Sequence, residues 1–299
     1  MSAPLPAPGP TASVVIPAHN EAKVIGRLLD ALLRDAGPGE FDVYVVGNGC
    51  TDGTERIAAS YRGVKVMSLD IASKSRALQA GDTAAGDVFP RIYLDADVTV
   101  ETDALRAVVR ALTVSAPRAG APQLAVATAG RPFPVRGFYR VWLQLPWVTD
   151  NLVGSGFYGI SRAGRQRFAA FPEIVNDDQF IRHLFGREER VSVSGAHFTI
   201  EAPYTTIALI RAKARVSMGV AEFSTLYPVL TDAGEPARTP RGGSLMFLPL
   251  IANPVNWPSL LAYAFVRGAS RLLVSVEAGR GRQVQWGQDR TTRTAERRP

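Results

Sequence analysis

Two pairs of aspartates have a residue type and a spacing that suit metal binding or proton transfer. Asp95 and Asp97 stand one residue apart after the apolar run 91–94, and Asp177 and Asp178 form a second acidic site much later in the chain. Two carboxylates at the first spacing can hold a hard divalent cation, Mg²⁺ or Mn²⁺, whose other oxygen ligands often come from substrate phosphates. A carboxylate within hydrogen-bond reach of an alcohol can accept its proton during an attack. The sequence therefore predicts a metal at the first pair and a general base at the second.

Both pairs also have a purely structural explanation. Asp95 or Asp97 could cap a turn at the end of a strand. An aspartate at 177 or 178 could stabilise the positive end of a helix dipole. The elements that position these residues decide between the two explanations.

The chain up to residue 97 alternates β-rich runs with helical patterns. Runs 13–17, 42–46, 64–66 and 91–94 predict strands, and the patterns at 24–33, 54–61 and 75–85 predict helices. Strands joined by such crossovers form a mainly parallel sheet with helices on both faces, an α/β fold. Ligands bind at the carboxyl ends of such strands. Loops 17–21, 48–54 and 95–97 are therefore expected to converge in one crevice.

Composition limits the class of protein. The 299 residues carry a formal net charge of +7 and a single cysteine, Cys50, so an internal disulfide is excluded and a reducing cytoplasm fits best. Residues 1–11 lack the features of a signal peptide and are predicted to be a flexible arm. The positive charge suits nucleic acid, an anionic membrane or phosphorylated small molecules alike. The sequence lacks a glycine-rich dinucleotide fingerprint and a Walker loop, which disfavours dehydrogenases and P-loop kinases.

The C-terminal region is apolar and then basic. Residues 245–266 are strongly apolar, but Pro249, Pro254 and Pro258 argue against an uninterrupted spanning helix. From Arg267 onward the chain is rich in arginine. Two interpretations stay open: a helix lying at the bilayer surface, or a segment whose apolar residues pack against the catalytic domain, namely Leu260, Leu261, Tyr263, Ala264 and Phe265.

Several motifs in order resemble one family. VVIPAHNE at 14–21, VVGNGCTDGT at 45–54, SKSRALQAG at 73–81, DAD at 95–97, GSGFYGISR at 154–162 and NDD at 176–178 are similar to motifs of the inverting GT-A glycosyltransferases of family 2, relatives of cellulose, chitin and hyaluronan synthases. The resemblance covers residues 13–219. It implies a GT-A fold, a Rossmann-like sheet flanked by helices.

The resemblance also implies roles for individual residues. It assigns Asp178 as the catalytic base, and it assigns Asp97, together with Asp95, to the binding of the metal. The residues assigned to acceptor binding are Gly154, Ser155, Gly156, Phe157 and Asp177. The implied donor-binding residues are Pro17, His19, Asn20, Glu21, Asn48, Asp52, Lys74, Asp95, Asp97 and Arg215.

The sequence departs from the family pattern at a few positions. Gly47 and Asn48 stand where aspartates are usual, and because an asparagine both accepts and donates, the choice of nucleotide base stays open. Asp177 replaces the usual glutamate. Ala212 and Val216 stand where processive synthases carry glutamine and tryptophan, which favours transfer of a single sugar. His197 lies where some metal-dependent transferases place an additional ligand, and its role stays open.

The resemblance predicts metal-assisted, inverting transfer of one sugar from a nucleotide-diphosphate sugar, UDP-hexose or UDP-N-acetylhexosamine, to a hydroxyl of a glycan, lipid or small molecule. A sugar-nucleotidyltransferase and a catalytically silent nucleotide-sugar-binding or membrane-scaffold protein are the alternatives. The expected organisation is a nucleotide-sugar-binding half at 12–130, an acceptor-binding and catalytic half at 131–231, a linker at 232–243, an apolar segment at 244–282 and a basic tail at 283–299. We expect a cytoplasmic protein, peripheral at an anionic membrane surface, and no nucleic acid partner.

Overall fold

The structure is a computed structural model that describes residues 9–149, 154–174, 176–230 and 245–279. Most of the predicted arm at 1–11, the predicted linker at 232–243 and the predicted tail at 283–299 lie outside the described residues.

Strands and helices alternate through the first third of the chain, as the periodicity predicts. They are β1 (Ala12–Ala18), α1 (Ile25–Leu33), β2 (Phe41–Asn48), α2 (Thr54–Ala59), β3 (Val64–Leu69), α3 (Lys74–Ala84) and β4 (Arg91–Leu94).

Later elements are less regular. They are β5 (Thr99–Val100), α4 (Thr102–Leu112), β6 (Ala119–Ala127), α5 (Phe133–Trp142), α6 (Pro146–Thr149), β7 (Phe157–Ile160), α7 (Arg162–Arg165), α8 (Asp177–Leu184), β8 (Arg190–Glu201), α9 (Thr206–Leu226), α10 (Leu248–Ile251) and α11 (Trp257–Gly279).

The strands form an eight-stranded sheet in the order β3-β2-β1-β4-β7-β6-β8-β5. β2 pairs in parallel with β1 and β3, and β1 pairs in parallel with β4. β7 runs antiparallel to β4 and to β6. The predicted α/β fold of the GT-A type is confirmed, with a sheet that is parallel through β1–β4 and mixed at β7.

Buried apolar runs explain these first elements. Every residue of β1 is buried, and α1 turns Ile25, Leu28, Leu29 and Leu32 inward at helical spacing. A strand that is apolar on both faces suits a sheet covered on both sides. The carboxyl ends of β1, β2 and β4 therefore lie at one edge of the sheet, where the predicted functional loops begin.

Contacts between residues divide the chain into two compact units. Unit 1 comprises the described residues up to Pro122 together with Gly156–Phe171 and Val193–Phe198. Unit 2 comprises the described residues of Gln123–Ser155 and Pro172–Ser192 and those from Thr199 onward. β6 begins in unit 1 and continues into unit 2, whereas β8 begins in unit 2, passes through unit 1 and ends in unit 2.

Unit 2 is built around α5, α9 and α11. Its core cluster consists of Val135, Phe138, Tyr139, Ala202, Leu209 and Val266. Lys213 of α9 keeps some solvent exposure, but its Nζ lies 4.4 Å from the ring centroid of Trp142 and near the rings of Phe138 and Tyr139. Burial, followed by the positive charge of Arg267, lowers the pKa of Lys213 to about 8.

The C-terminal apolar segment is both broken and helical. Residues 245–256 form short turns, as Pro249 and Pro254 predict. Pro258 does not interrupt the chain, because it lies in the first turn of α11, one helix of 23 residues that contains Arg267 and Arg271. In the described part of the chain, one helical stretch, Pro254–Glu277, is long and apolar enough to cross a membrane by length and composition.

One face of α11 packs and the other is bare. Ala262 and Val266 are buried, and Tyr263 stacks on Phe138. Leu261 is 72% exposed, Phe265 is 58% exposed and Ala264 is exposed as well, so for these three residues the packed interpretation is wrong.

Candidate functional site

The loop after β1 is hydrogen-bonded to the loop after β2. Nδ1 of His19 lies 2.6 Å from the carbonyl oxygen of Asn48 and donates to it, which leaves Nε2 as the acceptor facing the Asn20 amide. Asn20 has a positive φ of 53°, and its side-chain oxygen accepts from the backbone N–H of Thr51 at 2.8 Å. Polar side chains thus hold both loops at the same edge of unit 1.

Asn48, the last residue of β2, is fully buried. Its Nδ2 donates to the carbonyl oxygen of Ala18 at 2.9 Å, which fixes the orientation of the amide because the reverse orientation would set two oxygens against each other. Among the described residues its Oδ1 has no hydrogen-bond partner. Asn48 therefore presents an unpaired acceptor at Oδ1, the oxygen that an aspartate would also supply there.

Asp52 binds the backbone of both loops. Its Oδ2 accepts from the N–H of Ala22 at 3.0 Å, and its Oδ1 accepts from the N–H and hydroxyl of Thr54. The Thr54 hydroxyl in turn accepts from the N–H of Glu21, whose side chain is buried. Burial alone would raise the pKa of Asp52, but these hydrogen bonds outweigh it and lower the pKa.

The missing side chain of Gly47 leaves space that Glu55 fills. A Cβ built on Gly47 would lie 2.0 Å from Oε1 of Glu55, and Ser68 donates to the other carboxylate oxygen at 2.7 Å. A carboxylate thus occupies the place beside β2 where the family pattern has an aspartate. Sequence analysis missed Glu55; the signal was the glycine at 47 with an acidic residue in the first turn of the following helix.

The predicted donor residues Lys74 and Asp95 form an ion pair. Nζ of Lys74, the first residue of α3, lies 2.6 Å from Oδ1 of Asp95, with the lysine side chain 17% exposed and the aspartate side chain 36% exposed. The backbone oxygen of Asp97 accepts from Arg27 of α1 at 2.8 Å, a contact that sequence analysis also missed. The aspartate pair is thus held by two cationic side chains from neighbouring helices.

Gly156 and Phe157 lie in unit 1 beside Asp95. The N–H of Asp95 donates to the carbonyl oxygen of Gly156 at 2.9 Å, and Phe157 pairs with Leu94 across β7 and β4. Gly156 has a φ of 95°, and a Cβ there would lie 2.7 Å from Val98 and 3.2 Å from Oδ2 of Asp95. Only glycine combines this backbone conformation with this close approach.

Asp178 lies in unit 2 in the first turn of α8. Its Oδ2 accepts from the N–H of Ser155 at 3.1 Å, and Gly154 approaches so closely that a Cβ there would lie 2.9 Å from the same oxygen. Asp177 is buried, whereas Asp178 is half-buried. The predicted base and the first two residues of the predicted acceptor segment therefore meet within unit 2.

The remaining predicted residues are located as follows. Pro17 lies within β1, and Arg215 lies half-buried on α9 of unit 2. His197 is an exposed residue of β8.

The aspartate pair fits a hard divalent cation by its donor chemistry. Both side chains supply carboxylate oxygens, and Oδ1 of Asp95 already carries a positive partner, the Lys74 ammonium. The described residues contain no cluster of three or more histidine, cysteine, aspartate or glutamate side chains that could hold a metal ion, with or without His197. A cation here would need ligands from a substrate as well.

Fold and site together define the class: an α/β protein of the GT-A type with polar loops at the carboxyl ends of β1, β2 and β4. Residues 13–166, about half of the chain, match the sequence profile described as Glycosyl transferase family 2. The chain belongs to this family. The more specific relation to polysaccharide synthases stays a prediction.

Curated relatives match a shorter part of the chain. A 4,4'-diaponeurosporenoate glycosyltransferase of Staphylococcus aureus is 41% identical over 93 residues, which are 29% of this chain and 24% of that protein. Its counterpart from another strain is 38% identical over 104 residues, 32% of this chain and 27% of that protein. The chain thus spans about a quarter of the length of these relatives.

Two solved structures share the fold. The mannosyltransferase PcManGT from Pyrobaculum calidifontis, in complex with GDP-Man and Mn²⁺, has a TM-score of 0.53 at 19% identity and covers 93% of this chain and 82% of that chain. TarS 1-349 of S. aureus has a TM-score of 0.50 at 15% identity and covers 91% of this chain and 92% of that chain. At these identities the likeness establishes the fold alone.

Proposed function

We propose that this protein transfers one sugar from a nucleotide-diphosphate sugar to an acceptor hydroxyl, by a metal-assisted displacement that inverts the anomeric carbon. The observation that carries the proposal is the paired loops at the edge of unit 1, where His19 bonds Asn48 and Lys74 bonds Asp95. These are the residues that the family resemblance assigns to the donor, and they stand where α/β sheets bind ligands.

Asn48 narrows the choice of donor base. Because the bond from Nδ2 to Ala18 fixes the amide and leaves Oδ1 as a buried, unsatisfied acceptor, Asn48 suits a base with a ring N–H. Uracil and guanine carry that N–H, whereas cytosine and adenine present a bare ring nitrogen. Since Oδ1 is buried, the proposal requires loop 49–52 to move aside for the base. The Pyrobaculum neighbour, described with GDP-Man, is compatible with this choice.

In the proposed reaction Asp178 removes the proton from the acceptor hydroxyl as that oxygen attacks the anomeric carbon. The hydrogen bond from the Ser155 N–H fixes one carboxylate oxygen and stabilises its negative charge. Asp95 and Asp97 would hold Mg²⁺ or Mn²⁺. When bound, such a cation stabilises charge on the departing diphosphate. Arg215 and Lys74 would neutralise the phosphates further.

We also propose that the protein binds the cytoplasmic face of a membrane through α11. The bare face of this helix presents Trp257, Leu261, Phe265, Leu272 and Val276 at intervals that keep them on one side, and each is at least 41% exposed. Exposed apolar residues of this number mark an interaction site. The arginines from Arg267 onward complement anionic headgroups. The S. aureus relatives are named 4,4'-diaponeurosporenoate glycosyltransferases. For this chain we propose a lipid-borne acceptor, which the membrane surface would present.

The proposal is tested by thermal stabilisation with nucleoside diphosphates in Mn²⁺ or EDTA, since a bound ligand raises the melting temperature by mass action. UDP and GDP should bind at least about tenfold more tightly than CDP and ADP, because the bare ring nitrogen of those bases would set a second acceptor against Oδ1 of Asn48. Asp97→Ala should remove the effect of Mn²⁺, whereas Asp87→Ala, at an exposed position of the same unit, should not.

Three results would contradict parts of this proposal. If none of the four nucleotides stabilises the protein, the proposal of a nucleotide-sugar donor is wrong. If Asp97→Ala turns over at the native rate in EDTA, the proposed role of a metal is wrong. Release of pyrophosphate instead of a nucleoside diphosphate from a nucleotide sugar would identify a nucleotidyltransferase.

A further inference from the structure

Lys74 and the proposed metal compete for the same carboxylate, that of Asp95. Nζ of Lys74 lies 2.6 Å from Oδ1. The other oxygen, Oδ2, lies against Gly156, only 3.2 Å from where a Cβ would stand. The ammonium therefore already neutralises the carboxylate that a cation would need.

The Lys74 side chain is also able to move away from Asp95. It is the first residue of α3, and its four-carbon stem carries a compact charge that can rotate between partners. Its helix is anchored independently, because the hydroxyl of Ser73 accepts from the N–H of Arg76 at 3.3 Å. A diphosphate bound at this edge of the sheet would offer the ammonium several negatively charged oxygens.

We propose that Lys74 is an exchangeable counter-ion. It neutralises Asp95 before the donor binds, and it moves to the donor diphosphate on binding, which frees Oδ1 for a divalent cation. This inference rests on the proposed function and adds an order to it: the nucleotide prepares the metal site. By linkage, a nucleotide that raises metal affinity is itself bound more tightly with metal, by the same factor.

The test measures Mn²⁺ binding to the full-length protein by the electron paramagnetic resonance of free Mn²⁺, so no activity is needed. Without nucleotide, Lys74→Met should bind Mn²⁺ at least about tenfold more tightly than the native protein, a factor that corresponds to about 1.4 kcal/mol. UDP or GDP should raise the Mn²⁺ affinity of the native protein by a larger factor than that of Lys74→Met. Lys74→Arg, which keeps the positive charge, should resemble the native protein.

A matched control is available in the same unit. Lys65 pairs with Asp42 at 2.7 Å, nearly the same distance, but lies on β3. Lys65→Met removes the same charge and should leave Mn²⁺ affinity unchanged, which separates a direct exchange from a general change in electrostatic field. Lys74→Gln provides a second neutral variant if Lys74→Met does not fold.

Two failures are distinguishable. If the native protein binds Mn²⁺ with UDP or GDP but the neutral Lys74 variants bind it without nucleotide no better than the native protein, the exchange is wrong and the proposed function stands. If the native protein binds neither UDP nor GDP and Mn²⁺ does not change that, the proposed function itself fails.

Discussion

For Asp178, a structural role at a helix terminus and a role as the catalytic base predict different kinetic results. It lies in the first turn of α8, where a carboxylate stabilises the helix dipole, and it also accepts from Ser155 in the predicted acceptor segment. We predict that Asp178→Asn lowers kcat about a hundredfold or more while the donor affinity stays unchanged, since general-base loss is of that size. Steady-state kinetics and nucleotide titration measure the two quantities separately.

Asp103→Asn is the matched control for this prediction. Asp103 is likewise an aspartate in the first turn of a helix, α4, but its side chain is 86% exposed and pairs with Arg106. Its replacement should leave kcat unchanged. A variant of Asp178 that loses nucleotide binding yet turns over normally at saturation would instead make Asp178 a donor residue. Inverted configuration of the product, measured by the anomeric NMR coupling, would support the displacement.

At the scale of elements, one buried aspartate ties α3, β4 and α7 together. Oδ1 of Asp82 accepts from Arg91 and from the hydroxyl of Tyr93, each at 2.6 Å, and Oδ2 accepts from Arg165 at 2.7 Å. The side chains of Asp82 and Arg91 are 6% and 2% exposed. Replacing the aspartate would leave two guanidinium groups without their counter-charge in a buried place.

Asp82→Asn should lower the free energy of unfolding by about 3 kcal/mol, the cost of removing one partner of a buried ion pair. Asp87→Asn is the control, because Asp87 pairs with Arg162 at the surface, with side chains 85% and 49% exposed. That variant should change stability by less than about 1 kcal/mol. Urea unfolding measures both, and similar losses in the two variants would contradict the buried-network account.

The pH dependence of this difference follows from the charge of Asp82. Burial alone would raise its pKa, but hydrogen bonds from Arg165, Tyr93 and Arg91 outweigh burial and lower the pKa below its ordinary value. A carboxyl with a lower pKa in the folded state contributes stability above its unfolded pKa, about 3.9, and loses it as pH falls through the folded value. The stability gap between native protein and Asp82→Asn should therefore persist from neutral pH to about pH 4 and narrow below it.

At the scale of the whole molecule, the bare face of α11 predicts reversible membrane binding. The full-length protein should float with anionic liposomes at low salt, and binding should fall with added salt because headgroup attraction is screened. Replacing Leu261, Phe265 and Leu272 by asparagine should lower partitioning by at least about tenfold, since each buried apolar side chain contributes about 1.5 kcal/mol or more. Liposome flotation measures each effect.

The control removes apolar surface elsewhere in unit 2. Ile207 and Leu226 of α9 are 63% and 56% exposed, and replacing them by asparagine should leave flotation unchanged. If the native protein stays unbound on anionic liposomes at low salt, the membrane proposal is wrong and the bare face of α11 requires another partner.

The sequence alone determined the strand and helix pattern up to β4 and the family, because these depend on periodicity and on motifs whose residues are local in the chain. Local spacing also singled out Asp95, Asp97 and Asp178 as candidate site residues, which stays a prediction. Only the tertiary structure decided which atoms meet: Glu55 over Gly47, Lys74 on Asp95, and the amide of Asn48 fixed by Ala18. It also decided that α11 packs by one face and exposes the other. These outcomes depend on packing between residues far apart in the chain, which periodicity and motif spacing do not encode.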